Sequence, residues 1–127
     1  MISITANKIM LDSGCWHCDN VKAIEAGCLL ALSLLRAEKD VTVAVFTNEG
    51  VQCIDVEENF TIPQFIKKIN LLSPEIVDLS HPMLWAEKEK KNIDIFINIV
   101  YQKYPELDQS GEAMVSYRTK MNLPNAK

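Results

Sequence analysis

The spacing of apolar residues changes along the chain and predicts a succession of strands and helices. The mixed apolar segment over residues 2–11 is typical of a strand. Apolar positions then recur at helical spacing over residues 21–37, and Asp19 or Asn20 is suited to be the N-cap of that helix. Leucines widen its apolar stripe almost all round, which predicts a helix buried between two layers.

The middle of the chain has the pattern of a strand hairpin. Residues 41–46 form a short β-branched run, which is typical of a strand covered on both faces. A tight turn over residues 47–50 leads into a second strand over residues 51–56. The far end of that strand is acidic, and because charge discourages further pairing we place this strand at a sheet edge.

Helical and strand patterns alternate in the rest of the chain. Helices are predicted over residues 62–72 and 82–91, with Thr61 and Ser80 as their N-caps, and a buried strand over residues 93–100. A last helix is expected to start at Asp108 or Ser110, to run through Met121, and to be ended by Pro124.

The order of these elements predicts an α/β domain with a mainly parallel sheet and helices on both faces. The sequence contains no internal repeat and no Pro-rich or Gly-rich linker, so we interpret residues 1–127 as one domain.

Composition and charge exclude several classes of function. Apolar residues make up 48% of the chain and charged residues 24%, which is typical of a globular domain. The net charge of −4 argues against a protein that binds phosphate backbones by bulk attraction. The four glycines are far apart and cannot build a nucleotide-binding loop. We also expect no signal peptide and no membrane span.

A Cys-Trp-His-Cys segment from Cys15 to Cys18 is the sharpest local motif. Before a helix, such a pair predicts a thiol–disulfide oxidoreductase with Cys15 as nucleophile and Cys18 as resolving thiol, although Asp19 would raise the thiol pKa. A zinc site is the weaker alternative, because no second pair supplies the remaining ligands. Cys28 and Cys53 are expected to pack as small hydrophobic residues.

Asp78, Ser80 and His81 bring an acid, a hydroxyl and an imidazole together. A catalytic triad is assembled from distant segments, whereas these residues are neighbours in sequence. We therefore interpret Ser80 as a helix cap, Asp78 as a loop residue and His81 as a first-turn residue.

A group of lysines on two predicted helices suggests weak direct RNA binding as another alternative. Glu87 and Glu89 interrupt the group, so a solvated helix face is the favoured interpretation. The lysines are Lys67, Lys68, Lys88, Lys90 and Lys91.

Four segments, over residues 36–46, 78–88, 94–97 and 117–124, carry a family resemblance. Their most distinctive patterns are Pro-Met-x-Trp-Ala and Tyr-Arg-x-Lys-Met. They resemble the von Willebrand factor A (vWA) domain of the Ro ribonucleoprotein autoantigen family, from about residue 25 to the end of the sequence. The resemblance implies a three-layer, Rossmann-type α/β fold with a mostly parallel sheet and one antiparallel edge strand.

The resemblance also implies a divalent cation at the carboxyl ends of the strands, held by an Asp-x-Ser-x-Ser loop, a threonine and a second aspartate. Here the loop falls on residues 12–16, which keep Asp12 and lose both serines. The threonine falls at Val77 and the second aspartate at Tyr101. We therefore expect a degenerate metal-ion-dependent adhesion site that has lost magnesium and binds no other cofactor.

Two departures from the family shape the expected partners. The helical-repeat region that binds RNA in the Ro family has no counterpart in this sequence. The sequence also ends where the family continues into another core strand, which suggests a short divergent relative or a fragment. An open sheet edge there would invite a homodimer or a heterodimer.

The prediction is a non-enzymatic protein-interaction module in a cytoplasmic ribonucleoprotein or RNA-related assembly, with nuclear presence also allowed. Its partner is expected to be a protein, with RNA reached indirectly and no membrane contact. The predicted docking surface is the rim of the former metal site, formed by Asp12, Trp16, Asp78, Ser80, His81 and Tyr101.

Overall fold

The computed structural model describes residues 1–4, 14–15, 18–47, 50–72, 78–100 and 109–127, with the backbone alone for residues 14, 15 and 18–21. In chain order its elements are β1 (Ile2–Ile4), β2 (Gly14–Cys15), β3 (Cys18–Lys22), α1 (Ala23–Ala37), β4 (Val43–Thr47), β5 (Gly50–Ile54), α2 (Ile62–Asn70), α3 (His81–Lys88), β6 (Ile97–Ile99) and α4 (Ser110–Met121).

Four of the described strands form one mixed sheet in the order β5-β4-β1-β6. Strand β1 is parallel to both of its neighbours, with Ile2 opposite Val43 on β4 and opposite Ile97 on β6. Strand β5 is antiparallel to β4 and lies at the edge. The predicted α/β class and the antiparallel edge hairpin are therefore confirmed.

One face of the sheet is covered by α1 and α2. Side chains alternate between the two faces of a strand, and those of β1 and β4 that point to this face are apolar. Helices α1 and α2 pack Leu32 and Phe65 against them. The buried core on this side consists of Ile2, Ile4, Ala23, Ile24, Cys28, Ala31, Leu32, Val43, Val45, Phe65 and Ile69.

On the other side, α3 and α4 pack together in a second, smaller cluster around Tyr117. The Tyr117 hydroxyl donates to the carbonyl of Lys91 at 2.6 Å and accepts from the amide of Ile93 at 2.7 Å. The rings of Tyr117 and Phe96 meet edge to face with 5.1 Å between their centroids. This buried tyrosine fixes the segment that leads from α3 into β6.

The predicted start of the first helix is wrong. Asp19 and Asn20 lie within β3, which pairs antiparallel with β2, so neither can be the N-cap. Helix α1 begins at Ala23 with Lys22 as N-cap, and the Glu25 carboxylate accepts the Lys22 amide at 2.8 Å. Glu25, at the third helical position, thus satisfies the backbone amide of the N-cap residue from inside the helix.

Helix α1 is also less buried than predicted. Leu29 is 52% exposed and Leu30 is 49% exposed. One side of the helix packs on the sheet and α2, and the described residues leave about half of each of these leucines exposed. The wide leucine stripe therefore indicates a surface helix with an apolar outer face.

Several predicted boundaries move by a few residues. Helix α3 ends at Lys88 rather than residue 91, since Lys90 has a left-handed φ of 52°. Helix α4 ends because Asn122, not Pro124, takes the left-handed C-cap conformation. Asp108, the alternative start of α4, lies outside the described residues. None of the described helices is long and apolar enough to cross a membrane.

Strand β6 is shorter and less buried than the strand predicted over residues 93–100. It spans Ile97–Ile99, and all three residues are only partly buried. In the described part of the chain β6 is the outer strand of the sheet, opposite β5. The apolar pattern of this segment is therefore not explained by burial on both sides within the described residues.

Candidate interaction site

The described part of the predicted rim is a polar corner at the start of α3, formed by Asp78, Ser80 and His81. Asp78 Oδ1 accepts two hydrogen bonds from Ser80, one from the amide at 2.9 Å and one from the hydroxyl at 2.6 Å. The amide of His81 donates to the backbone carbonyl of Asp78 at 3.1 Å. Ser80 is 4% exposed, so the sequence Asp-Leu-Ser closes a tight turn with little freedom.

The charge of Asp78 is stabilised within this turn. Partial burial acts to raise the pKa of the Asp78 carboxyl, but the hydrogen bonds from Ser80 and the nearby His81 imidazole outweigh it. The pKa of Asp78 therefore lies below its usual value. At neutral pH the corner presents a carboxylate that is already bound to donors of its own turn.

His81 points one ring nitrogen at this carboxylate and buries the other. His81 Nε2 lies 3.5 Å from Asp78 Oδ2, while His81 Nδ1 is buried and has no hydrogen-bond partner among the described residues. Because the Ser80 hydroxyl donates to Asp78 and not to His81, the three residues do not form a Ser–His–Asp relay.

The hairpin geometry argues against the predicted redox arrangement. Cys15 and Cys18 are directly opposite one another in the β2–β3 hairpin, and the next helix begins only at Ala23. Neither cysteine therefore lies at a helix N-terminus, where backbone N–H groups would stabilise a thiolate.

The other two cysteines have different environments. Cys28 is fully buried, and burial, with Glu25 nearby, raises the pKa of its thiol to about 12, so it packs as an inert small residue. Cys53 is exposed on edge strand β5, so the expectation that it is buried is wrong. Burial of its sulfur, followed by the charge of Glu89, still raises its thiol pKa.

The lysines proposed as an RNA-facing group are divided between two regions. Lys67 and Lys68 are on α2, which covers one face of the sheet, and Lys68 lies 5.8 Å from the Phe60 ring centroid. Lys88 is the last residue of α3 and Lys90 and Lys91 follow it, and α3 packs against α4 and β5 in the second layer. They do not form one continuous basic surface.

A feature that the sequence pattern did not predict is an open groove between α1 and α2, with a volume of about 680 Å³. Leu29 and Leu71 border it, and Leu71 is 78% exposed. Its lining consists of Glu25, Leu29, Ile62, Pro63, Ile66, Lys67, Asn70 and Leu71. The sequence signal for this groove was the wide leucine stripe on α1, which we had interpreted as evidence of a buried helix.

Three of the predicted rim residues, Asp12, Trp16 and Tyr101, lie outside the described residues, as does Val77. Their place in the site stays a prediction. Within the ranges that the structure describes, no three His, Cys, Asp or Glu side chains come together in a way that could hold a metal ion.

A comparison against protein families identifies the family of this chain. The family model described as the Ro60 vWA domain matches residues 1–127. The chain belongs to the Ro60 vWA domain family. The resemblance carried by the four sequence segments is thereby confirmed, and it extends over the amino-terminal residues as well.

A solved structure supports the fold of this Ro60 vWA-type chain. The crystal structure of the Deinococcus radiodurans Ro (RSR) protein matches with a TM-score of 0.78 at 20% sequence identity. The match covers 95% of this chain and 24% of the Deinococcus protein. The chain thus spans about a quarter of that protein, and at this identity the likeness establishes the three-layer fold alone.

Proposed function

We propose that this Ro60 vWA-type domain is a non-catalytic docking module that binds another protein within a cytoplasmic, RNA-related assembly. Family membership supports the general class, because the matched family is that of a Ro protein domain. The observation that carries the proposal is the closed hydrogen-bond set of Asp78, whose Oδ1 is engaged twice by Ser80.

This arrangement fits recognition better than it fits metal binding or catalysis. A magnesium ion needs free hard oxygen ligands in octahedral geometry. Asp78 Oδ1 already accepts hydrogen bonds within its own turn, and a valine at position 77 has no ligating side-chain atom. A serine nucleophile needs an adjacent base, and the Ser80 hydroxyl donates its hydrogen bond to Asp78, whose lowered pKa makes the carboxylate a weak base. A rigid corner with a fixed negative charge remains, and it can orient a polar partner.

The test is capture of partners from native extract on the immobilised domain, with magnesium or EDTA and with or without RNase. We expect a specific protein that stays bound in EDTA and after RNase treatment. Asp78→Asn keeps an acceptor for Ser80 but removes the charge, so it is expected to lower capture several-fold. Glu112→Gln removes an exposed charge on α4, far along the chain, and is the matched control.

Three outcomes would contradict the proposal. Partner loss in EDTA, restored by magnesium, would indicate an intact cation site. Loss after RNase would indicate an RNA ligand, including direct contact through the lysine-bearing helices. Reduction of insulin disulfides that disappears in Cys15→Ser would indicate the oxidoreductase alternative. Melting temperatures of the Asp78→Asn and Glu112→Gln variants that both lie well above the assay temperature exclude unfolding as the cause of lost capture.

A further inference from the structure

Exposed leucines surround the open groove between α1 and α2. Leu29 and Leu30 lie on α1, Leu71 directly follows α2, and each is about half exposed or more. They are half of the large apolar residues that are strongly exposed in the described ranges. Apolar side chains that gather around one groove, rather than lie singly, indicate a surface that binds a partner.

The groove has an apolar lining and carries one acid and one base. Ile62 and Ile66 of α2 line it, and both also pack in part on the core under the helices. Glu25 borders the groove from the first turn of α1, and Lys67 borders it from the last turn of α2. Neither side chain forms an ion pair with another described residue. Both charges are therefore available to an occupant of the groove.

We propose that this face is the interface of a symmetric dimer, in which a second copy of the chain covers the groove. In a two-fold interface residue i of one copy contacts residue j of the other, and j contacts i. An axis that passes between Glu25 and Lys67 brings the carboxylate of each copy onto the ammonium group of the other. The same rotation lays the α1 wall of each copy on the α2 wall of the other, so Leu29 covers Ile66 and Leu71.

The charge of the groove favours a second copy over a different protein as the occupant. The whole chain has a net charge of −4, so two copies repel one another on average. The groove, in contrast, combines one acid with one base, and this self-complementary arrangement is the one that an isologous interface needs. A groove with charges of a single sign would repel its own copy and would fit a partner of opposite charge.

The proposed interface is independent of the function proposed above. Helices α1 and α2 cover one face of the sheet, whereas the polar corner formed by Asp78, Ser80 and His81 lies at the start of α3 on the other side. Asp78→Asn should therefore leave the dimer dissociation constant unchanged, and each proposal can fail without the other.

The first experiment measures the dimer dissociation constant of the 127-residue chain by sedimentation equilibrium, from micromolar to millimolar concentration. Leu29→Glu would place a carboxylate in the apolar contact, so we expect it to raise the dissociation constant at least about tenfold. Leu84→Glu on α3 is the matched control, because Leu84 is 48% exposed and Leu29 is 52% exposed. This control should leave the dissociation constant unchanged.

Charge variants test the predicted ion pairs between the copies. Lys67→Glu would face Glu25 of the other copy, so we expect the dissociation constant to rise several-fold. Lys68→Glu makes the same change in net charge one residue along α2 but outside the lining of the groove, and it should have little effect. In the Glu25→Gln background Lys67→Glu should cost less, since the opposing charge is gone. Glutamine keeps a side-chain oxygen for the Lys22 amide.

The wild-type chain provides a test without any substitution. Amide chemical shifts should change on dilution in α1 and α2 and stay constant in α3. Shifts that change in β5 or β6 instead would indicate a dimer through a sheet edge and would overturn the proposal. It would equally be overturned by a monomer at every concentration, by equal effects of Leu29→Glu and Leu84→Glu, or by equal effects of Lys67→Glu and Lys68→Glu. Variants are compared only where their melting temperatures lie well above the assay temperature.

Discussion

Helices α2 and α3 begin with the same sequence signature, and the two starts use it differently. In each case a hydroxyl residue, Thr61 or Ser80, is followed two residues later by proline. At α2 the Thr61 hydroxyl accepts the Gln64 amide at 3.3 Å, and Gln64 Oε1 accepts the Thr61 amide at 2.8 Å. At α3 the Ser80 side chain makes no capping bond, and its hydroxyl donates to Asp78 instead.

Two neighbours explain the difference between the starts. Gln64 lies three residues after Thr61 and completes a reciprocal capping box, whereas Met83 in the equivalent place of α3 has no donor or acceptor to return. Asp78, two residues before Ser80, offers a charged acceptor that a neutral cap cannot match. The backbone of Ser80 accordingly turns to ψ −25°, while Thr61 stays extended at ψ 161°. One start is structural, and the other locks the corner to which we assign docking.

The largest expected effect is that of Asp78→Ala. The substitution removes the carboxylate oxygen that accepts both hydrogen bonds from Ser80. The buried Ser80 hydroxyl and the Ser80 amide then lose this acceptor. We expect the free energy of unfolding to fall by about 2 kcal/mol, measured by urea denaturation. Asp78→Asn keeps a side-chain oxygen in place, so its free energy of unfolding should fall much less. Equal losses in the two variants would show that Ser80 does not depend on this oxygen.

Thr61→Ala is expected to have the next largest effect. The substitution removes the hydroxyl that accepts the Gln64 amide, and because Thr61 is exposed, water can bind this amide instead. We expect the free energy of unfolding to fall by about 1 kcal/mol. Thr61→Ser retains the hydroxyl and is the control. A negligible cost in Thr61→Ala, against a clear cost in Asp78→Ala, would show that packing of Phe65 and Ile69 alone holds this helix start.

The sequence predicted the fold better where local and long-range requirements agree. The β4–β5 hairpin was predicted correctly because its β-branched run, turn and acidic end all favour the same structure. The β2–β3 hairpin was missed because Asp19 and Asn20 are also good cap residues, and only strand pairing decides between the two roles. The exposure of Leu29 could not be derived from periodicity, which identifies an apolar face but not what covers it.

The site was predicted in part. Asp78, Ser80 and His81 were singled out from sequence, but the direction of the Ser80 hydroxyl depends on the backbone dihedrals of that residue, which no residue pattern supplies. The backbone hydrogen bonds that join Lys127 to Asp94 and Phe96 were not predicted. Backbone bonds of this kind are independent of side-chain identity, and the amino-acid pattern carries no signal for them.

The smallest expected effect separates the two helix starts by their response to pH. Asp78 has a lowered pKa in the folded chain, so it contributes stability above its unfolded pKa, and that contribution is lost as pH falls through the folded pKa. The Asp78 side chain is 42% exposed, so solvent screening limits the charge contribution to about 0.5 kcal/mol or less. At pH 7 the free energy of unfolding of the wild type should exceed that of Asp78→Asn by this amount, and the difference should vanish in strong acid.

The cap at Thr61 supplies the control for this pH experiment, because neither Thr61 nor Gln64 has an ionisable side chain. The cost of Thr61→Ala should therefore be the same at pH 7 and in acid, provided that both variants are compared with wild type under identical denaturant conditions. If the two differences shrink together, acid weakens the whole fold rather than the Asp78 turn. If only the Asp78→Asn difference disappears, the negative charge at the start of α3 is coupled to folding through Ser80 and His81, as the hydrogen bonds of this corner require.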